Sequence, residues 1–209
     1  MDEGPEEQKV SAKLEHTELN DELKDIRALY TKLEAAQEKF CTVFDVHCKA
    51  CCGACCEHFT PDVTTLEASF LAFGLITEGK ADRVLELLAA PNPNGEGCPL
   101  YDKSNAEHHC TVYKWRPLIC RLFGAAASDD KNGNPVFRRC KWNEDGHNVP
   151  TEVLRAHADV LVEMRTYGMM LEETERESQE TSLLPDALPR AIEKIQLLLE
   201  LEEEQTKNV

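Results

Sequence analysis

Ten cysteines occupy positions 41, 48, 51, 52, 55, 56, 98, 110, 120 and 140 of a 209-residue chain. Six fall between residues 41 and 56, most densely in Cys48-Lys49-Ala50-Cys51-Cys52-Gly53-Ala54-Cys55-Cys56. Thiolates spaced this way in a turn can converge on one metal centre, and a glycine permits the tight backbone that this requires. One tetrahedral zinc ion uses four ligands, so ten thiols leave a surplus. Adjacent pairs such as Cys51-Cys52 and Cys55-Cys56 do not readily aim both sulfurs at one ion. A polynuclear iron–sulfur cluster, or two separate sites, uses the surplus better. The density is too low for a disulfide scaffold, and the chain is long enough to form a core without covalent staples. The acidic start, Met1-Asp2-Glu3-Gly4-Pro5-Glu6-Glu7, has no apolar run behind it and does not read as a secretory signal. A cytoplasmic, reducing setting is therefore expected, where clustered cysteines read as metal ligands or redox groups.

A second cysteine stretch contains Cys98-Pro99-Leu100-Tyr101 and then Cys110-Thr111-Val112-Tyr113-Lys114-Trp115-Arg116-Pro117-Leu118-Ile119-Cys120-Arg121. Together the two stretches resemble the YkgJ-like cysteine-cluster family, described as a domain that chelates zinc or iron. Its pattern is Cys-x2-Cys-Gly-x-Cys-Cys, then Cys-Pro, then Cys-x-x-Tyr-x-x-Arg-Pro-x-x-Cys-Arg. The resemblance spans about residues 48–123 and implies the ligand candidates Cys52, Cys55, Cys56, Cys98, Cys110 and Cys120. The family places another cysteine three residues before the Cys-Gly, where this chain has Lys49. Either Cys48 reaches the site through one extra residue or Cys51 substitutes for it. Cys41 and Cys140 lie outside the pattern. The family also resembles the cysteine segment of flagellin lysine methylases, for which an iron–sulfur cluster is implied. Those enzymes are longer, and this chain has no Gly-rich nucleotide loop, so methylase activity is not carried over. The cofactor expected is a cluster of the 4Fe–4S type, with zinc as the alternative.

The neighbours of these cysteines have two readings each. Arg116 and Arg121 either bond to nearby carbonyls and acids, or offset the negative charge of a thiolate-ligated metal and raise a cluster's potential. His58, His108 and His109 are ordinary loop histidines or additional ligands. Pro117 fixes the turn that delivers Cys120. Trp115 and Trp142 read as lids over the site, Cys41 as core, and Cys140 as a small buried hydrophobe.

The elements that must hold the site read as mainly α, with four to five helices around a loop-built, cysteine-rich metal-binding centre. The chain reads as a single domain, 1–209: an N-terminal helix over 1–45, the metal-binding core over 46–149 and C-terminal helices over 150–209. Leu14, Leu19, Leu23, Ile26, Tyr30, Leu33, Phe40 and Phe44 give one long first helix. Thr60-Pro61 reads as the start of a helix carrying Leu66, Phe70 and Phe73, ended by Gly74 or Gly79. A helix over Ala81–Ala90 stops at Pro91 and Pro93. Residues 91–149 show little helical period and many turn signals, including Asn132-Gly133, which suits a short hairpin. One helix runs from Pro150 through Leu171, and a last one follows Leu184-Pro185-Asp186.

Net charge is −16, with −5 in residues 1–40 and −7 in residues 171–209, so the cysteine-bearing centre is comparatively basic. Such a balance disfavours nucleic acid and anionic lipid as partners. No run approaches the roughly 18 apolar residues of a membrane span. No Ser/His/Asp triad, paired glycosidase carboxylates or P-loop occurs. The expected function is a redox or electron-transfer component, or an accessory to an oxygen-sensitive modifying enzyme, acting with a protein partner. The alternatives are a non-catalytic zinc-stabilised interaction module and a metal-trafficking protein.

Overall fold

A computed structural model describes residues 4–48, 52–105, 108–140, 148–176 and 180–207, with side chains to Glu204. The described residues are mostly helical: α1 (Pro5–Lys13), α2 (Glu18–Val43), α3 (Thr65–Thr77), α4 (Ala81–Ala89), α5 (Leu118–Leu122), α6 (Thr151–Ala156), α7 (Met164–Thr174) and α8 (Leu184–Lys207). Two short antiparallel pairs complete them. Strand β1 (Asp62–Thr64) pairs with β4 (Thr181–Leu183), and β2 (Ser128–Asp129) with β3 (Pro135–Val136). Among the described residues there are eight α-helices rather than four or five, because two of the expected helices are each broken in two and α5 forms within the stretch expected to be irregular.

The middle of the core is α3, Thr-Leu-Glu-Ala-Ser-Phe-Leu-Ala-Phe-Gly-Leu-Ile-Thr, apolar nearly all round and buried from Leu66 to Leu75. A helix without a polar face must be covered on every side. The packed neighbours are α8, whose Leu188, Ile192 and Ile195 are fully buried, and α2, whose Ile26, Tyr30 and Leu33 are fully buried.

The expected single first helix is two. The Thr17 hydroxyl accepts the Asn20 amide at 3.3 Å and donates to the Leu14 carbonyl at 2.7 Å, starting α2 afresh. The break lets α1 pack on α3 and α8 and sets buried Glu7 2.9 Å from Arg27. Thr60 is not a helix cap either, because its hydroxyl donates to the carbonyls of Glu96 and Gly97. The cap is Thr64, in a reciprocal capping box with Glu67: the Glu67 amide to the Thr64 hydroxyl, 3.2 Å, and the Thr64 amide to the Glu67 carboxylate, 3.0 Å. The helix passes through Gly74 and ends before Gly79, whose φ of +64° suits glycine. Gly74 serves packing instead. A Cβ there would stand 2.0 Å from the Trp115 ring.

The expected helix over 150–171 is broken as well, into α6, a 3₁₀ turn (Ala158–Val160) and α7. Between them Leu161-Val162-Glu163 runs alongside Ala127. The Ala127 amide donates to the Val162 carbonyl at 2.7 Å, and the Met164 amide donates to the Ala127 carbonyl at 2.9 Å. Asn132-Gly133 does turn a hairpin, β2–β3, with the Asp130 carboxylate accepting the amides of Asn132 and Asn134.

Candidate metal centre

Two glycines bring the cysteine stretches together. A Cβ on Gly53 would lie 2.2 Å from the Tyr101 ring, and one on Gly97 would lie 2.5 Å from the Glu57 carbonyl oxygen. Only glycine permits an approach this close, to a ring at Gly53 and to backbone at Gly97. The first loop tightens through the Cys56 amide to the Gly53 carbonyl, 2.8 Å, and the Cys98 amide then donates to the Cys56 carbonyl, 2.8 Å. Tyr101 and Cys110 form an antiparallel bridge that turns the second stretch back on itself. Cys120 arrives on α5, whose first amide, Leu118, donates to buried Glu67 at 2.6 Å. Pro117 caps that helix, as the turn reading requires.

The result is a cavity of about 250 Å³ on whose wall stand Cys48, Cys52, Cys55, Cys56, Cys98, Cys110 and Cys120. The structure thus places all seven sequence-selected thiols around one space. Cys98 is buried, Cys52, Cys56, Cys110 and Cys120 are half-buried, and Cys48 and Cys55 are exposed. Cys51 and Trp142 lie outside the described residues. Among the described residues no three His, Cys, Asp or Glu side chains converge on a single ion-sized point. The thiols surround a volume instead.

Burial pushes the Cys98 thiol up to about 11 and raises Cys48, Cys110 and Cys120 as well. Within the Cys55–Cys56 pair, sulfurs 3.9 Å apart, the shared hydrogen bond lowers Cys55 to about 6 and raises Cys56. Most of these groups therefore hold their protons until a metal displaces them, which makes metal uptake pH-dependent.

The neighbouring residues sort differently from their two readings. Arg121 is 4% exposed and bonds to Glu34, 2.7 Å, and to the carbonyls of Lys114 and Arg116, so it holds the fold. Arg116 lies on the cavity wall. Trp115 is not a lid: it is buried against Phe70 and Phe73, with its N–H on Glu78 at 2.7 Å. His108 lines the cavity, stacked on Tyr113, whereas His58 and His109 are not on the wall. Cys41 sits half-buried at the edge of the core. Cys140 is exposed rather than buried, yet near enough to Cys48 to raise that thiol's pKa. Sequence spacing could not show this, because the hairpin between Cys120 and Cys140 sets their separation.

The CxxCxxCC family model, a candidate zinc- or iron-chelating domain, matches residues 47–142, a little under half of the chain. No curated protein and no solved structure matches the chain. The matched segment contains all seven thiols of the cavity wall together with Cys51 and Cys140, so the similarity to the CxxCxxCC domain falls on the residues that build the cavity.

Proposed function

We propose that the cavity holds an iron–sulfur cluster of the 4Fe–4S type and that the protein is a redox or electron-transfer component. Accessory service to an oxygen-sensitive modifying enzyme is the same chemistry in a larger assembly. The observation that carries the reading is the donor set: among the described residues, seven thiols stand around about 250 Å³, with one arginine, one histidine and no carboxylate on the wall. Hard cations take oxygen ligands, whereas thiolates suit iron–sulfur clusters and zinc. Four cysteines hold a 4Fe–4S cluster, so Cys98, Cys110 and Cys120 with one sulfur from the 48–56 loop suffice, and three thiols remain. Bound there, the group supplies one-electron redox chemistry. The chain contributes ligands from two loops and from α5, apolar wall residues Leu100, Val112 and Leu184, and the exposed thiols Cys48 and Cys55. A cytoplasmic setting and a protein that gives or takes electrons complete the proposal.

A zinc-stabilised interaction or trafficking module is the second reading, favoured by one distance. The Cys55 and Cys56 sulfurs, 3.9 Å apart, match the edge of about 3.8 Å in a tetrahedral zinc–thiolate site. Purification without oxygen decides between them. Iron and sulfide with a broad band near ~400 nm are expected for a thiolate-ligated cluster. Stoichiometric zinc with no iron would sink the cluster reading.

A further inference from the structure

The Arg-Pro-x-x-Cys-Arg string places two arginines beside the thiols, and the fold gives them opposite directions. Arg121 turns into the core, 4.2 Å above the Tyr30 ring and paired with Glu34. Arg116 is the one Lys or Arg on the cavity wall among the described residues, and no Asp or Glu shares that wall. Lys114 is engaged elsewhere, by buried Glu7. Arg116 is also fixed in place. Its guanidinium carbon lies 3.6 Å from the centre of the Tyr113 ring. Its Nε donates to the Tyr113 carbonyl at 3.0 Å and an Nη donates to the Cys120 carbonyl at 3.4 Å. His108 stacks on the same ring at 3.7 Å, which leaves it the opposite face and makes Tyr113 the middle of a three-layer stack.

We propose that Arg116, held over the cavity by Tyr113, is a positioning residue that sets the reduction potential of the metal centre, an inference that rests on the cluster reading. A thiolate-ligated cluster is anionic, and each reduction adds one more negative charge. A nearby fixed cation stabilises the reduced form more than the oxidised form, and a partly buried wall screens it less than water does. The field of Arg116 reaches both cysteine stretches, since it favours the thiolate forms of Cys48 and Cys55 as well as Cys110 and Cys120. Tyr113 matters because a free arginine side chain spreads over many rotamers, whereas stacking on an aromatic face restricts it.

The test uses four full-length proteins prepared without oxygen: wild type, Arg116→Gln, Arg116→Lys and Tyr113→Ala. Iron and sulfide are measured on each, and then the potential is measured by dithionite titration with mediator dyes, followed by visible absorption. Arg116→Gln should move the potential to more negative values. Arg116→Lys should stay nearer to wild type, and Tyr113→Ala should shift in the same direction as Arg116→Gln but by less. Equal potentials in all four, with iron and sulfide present, would overturn the role of Arg116 and leave the cluster reading standing. Wild type without iron and sulfide overturns the cluster reading and this inference with it. If Arg116→Gln does not retain a cluster, wild-type potentials in both Arg116→Lys and Tyr113→Ala overturn the proposal.

Discussion

At the scale of single residues, the thiols differ in how much depends on them. Cys98 is buried and hydrogen-bonded into the opposing loop, and Cys110 and Cys120 are half-buried on the same wall. Cys41 touches only the edge of the core. Replacing a metal ligand removes metal-coupled folding energy, whereas replacing a half-buried non-ligand costs about 1 kcal/mol or less. Serine at Cys55, Cys98, Cys110 or Cys120 should therefore lower bound metal and folded yield, while Cys41→Ser should match wild type. Equal metal per chain in all five variants, by elemental analysis, would refute the assignment. The 48–56 cluster was legible in the sequence because its spacing and glycine are local, while the joining of Cys98, Cys110 and Cys120 to it was legible only through the family resemblance. The fates of Trp115 and Cys140 were not. Trp115 follows Phe70, Phe73 and Gly74, some forty residues earlier, into the core, and local spacing carries no trace of that.

At the scale of elements, one carboxylate ties three of them together. Glu67 on α3 accepts the Thr64 amide at the end of β1, the Tyr30 hydroxyl of α2 at 3.1 Å, and the Leu118 amide that opens α5. The Thr64-x-x-Glu67 signature was present in the sequence, although Thr60-Pro61 offered a rival start. Its reach to Tyr30 of α2 and to α5, and hence to Cys120, was not, because those bonds span 37 and 51 residues. Glu67→Leu leaves three buried donors unmet and should cost about 3 kcal/mol or more in urea unfolding at neutral pH. Burial raises the Glu67 carboxyl above its ordinary range, outweighing the donors that favour the charged form. A raised acid binds more protons folded than unfolded. The wild type should therefore lose stability as pH climbs from about 4.3 through the raised value. Glu67→Gln cannot titrate, so its stability relative to wild type should improve across that window. The opposite slope, from urea unfolding at several pH values, would mean that the donors outweigh burial.

At the scale of the whole molecule, the question is what holds the cysteine-bearing centre, and the fold divides it in two. Residues 112–122 are held by packing and hydrogen bonds to the helices. Trp115, Leu118 and Leu122 are buried, Arg121 is locked to Glu34, and the Trp115 N–H reaches Glu78. Residues 92–111 have far less. Among the described residues there, Cys98, Pro99, Leu100 and Tyr101 are buried, and around them stand the Tyr101–Cys110 bridge and turns closed by Asn92 and Asn94 side chains onto nearby carbonyls. The facing 52–59 loop has no fully buried apolar side chain. Two irregular loops that meet through glycines lack the apolar area to offset the entropy of ordering both. A metal bound by sulfurs from each would close that long connection and make up the deficit. Removing it should lower hydrogen-exchange protection in 52–59 and 92–111 selectively. Protection in α2, α3 and α8 should persist, because the apolar faces of α2 and α8 pack on α3. Residues 112–122 should follow the helices rather than the loops. Hydrogen exchange on metal-loaded and chelator-treated protein reads all three groups at once. Unchanged protection in 92–111 would show that packing and the asparagine turns suffice, and loss across α3 as well would show that the metal supports the entire fold.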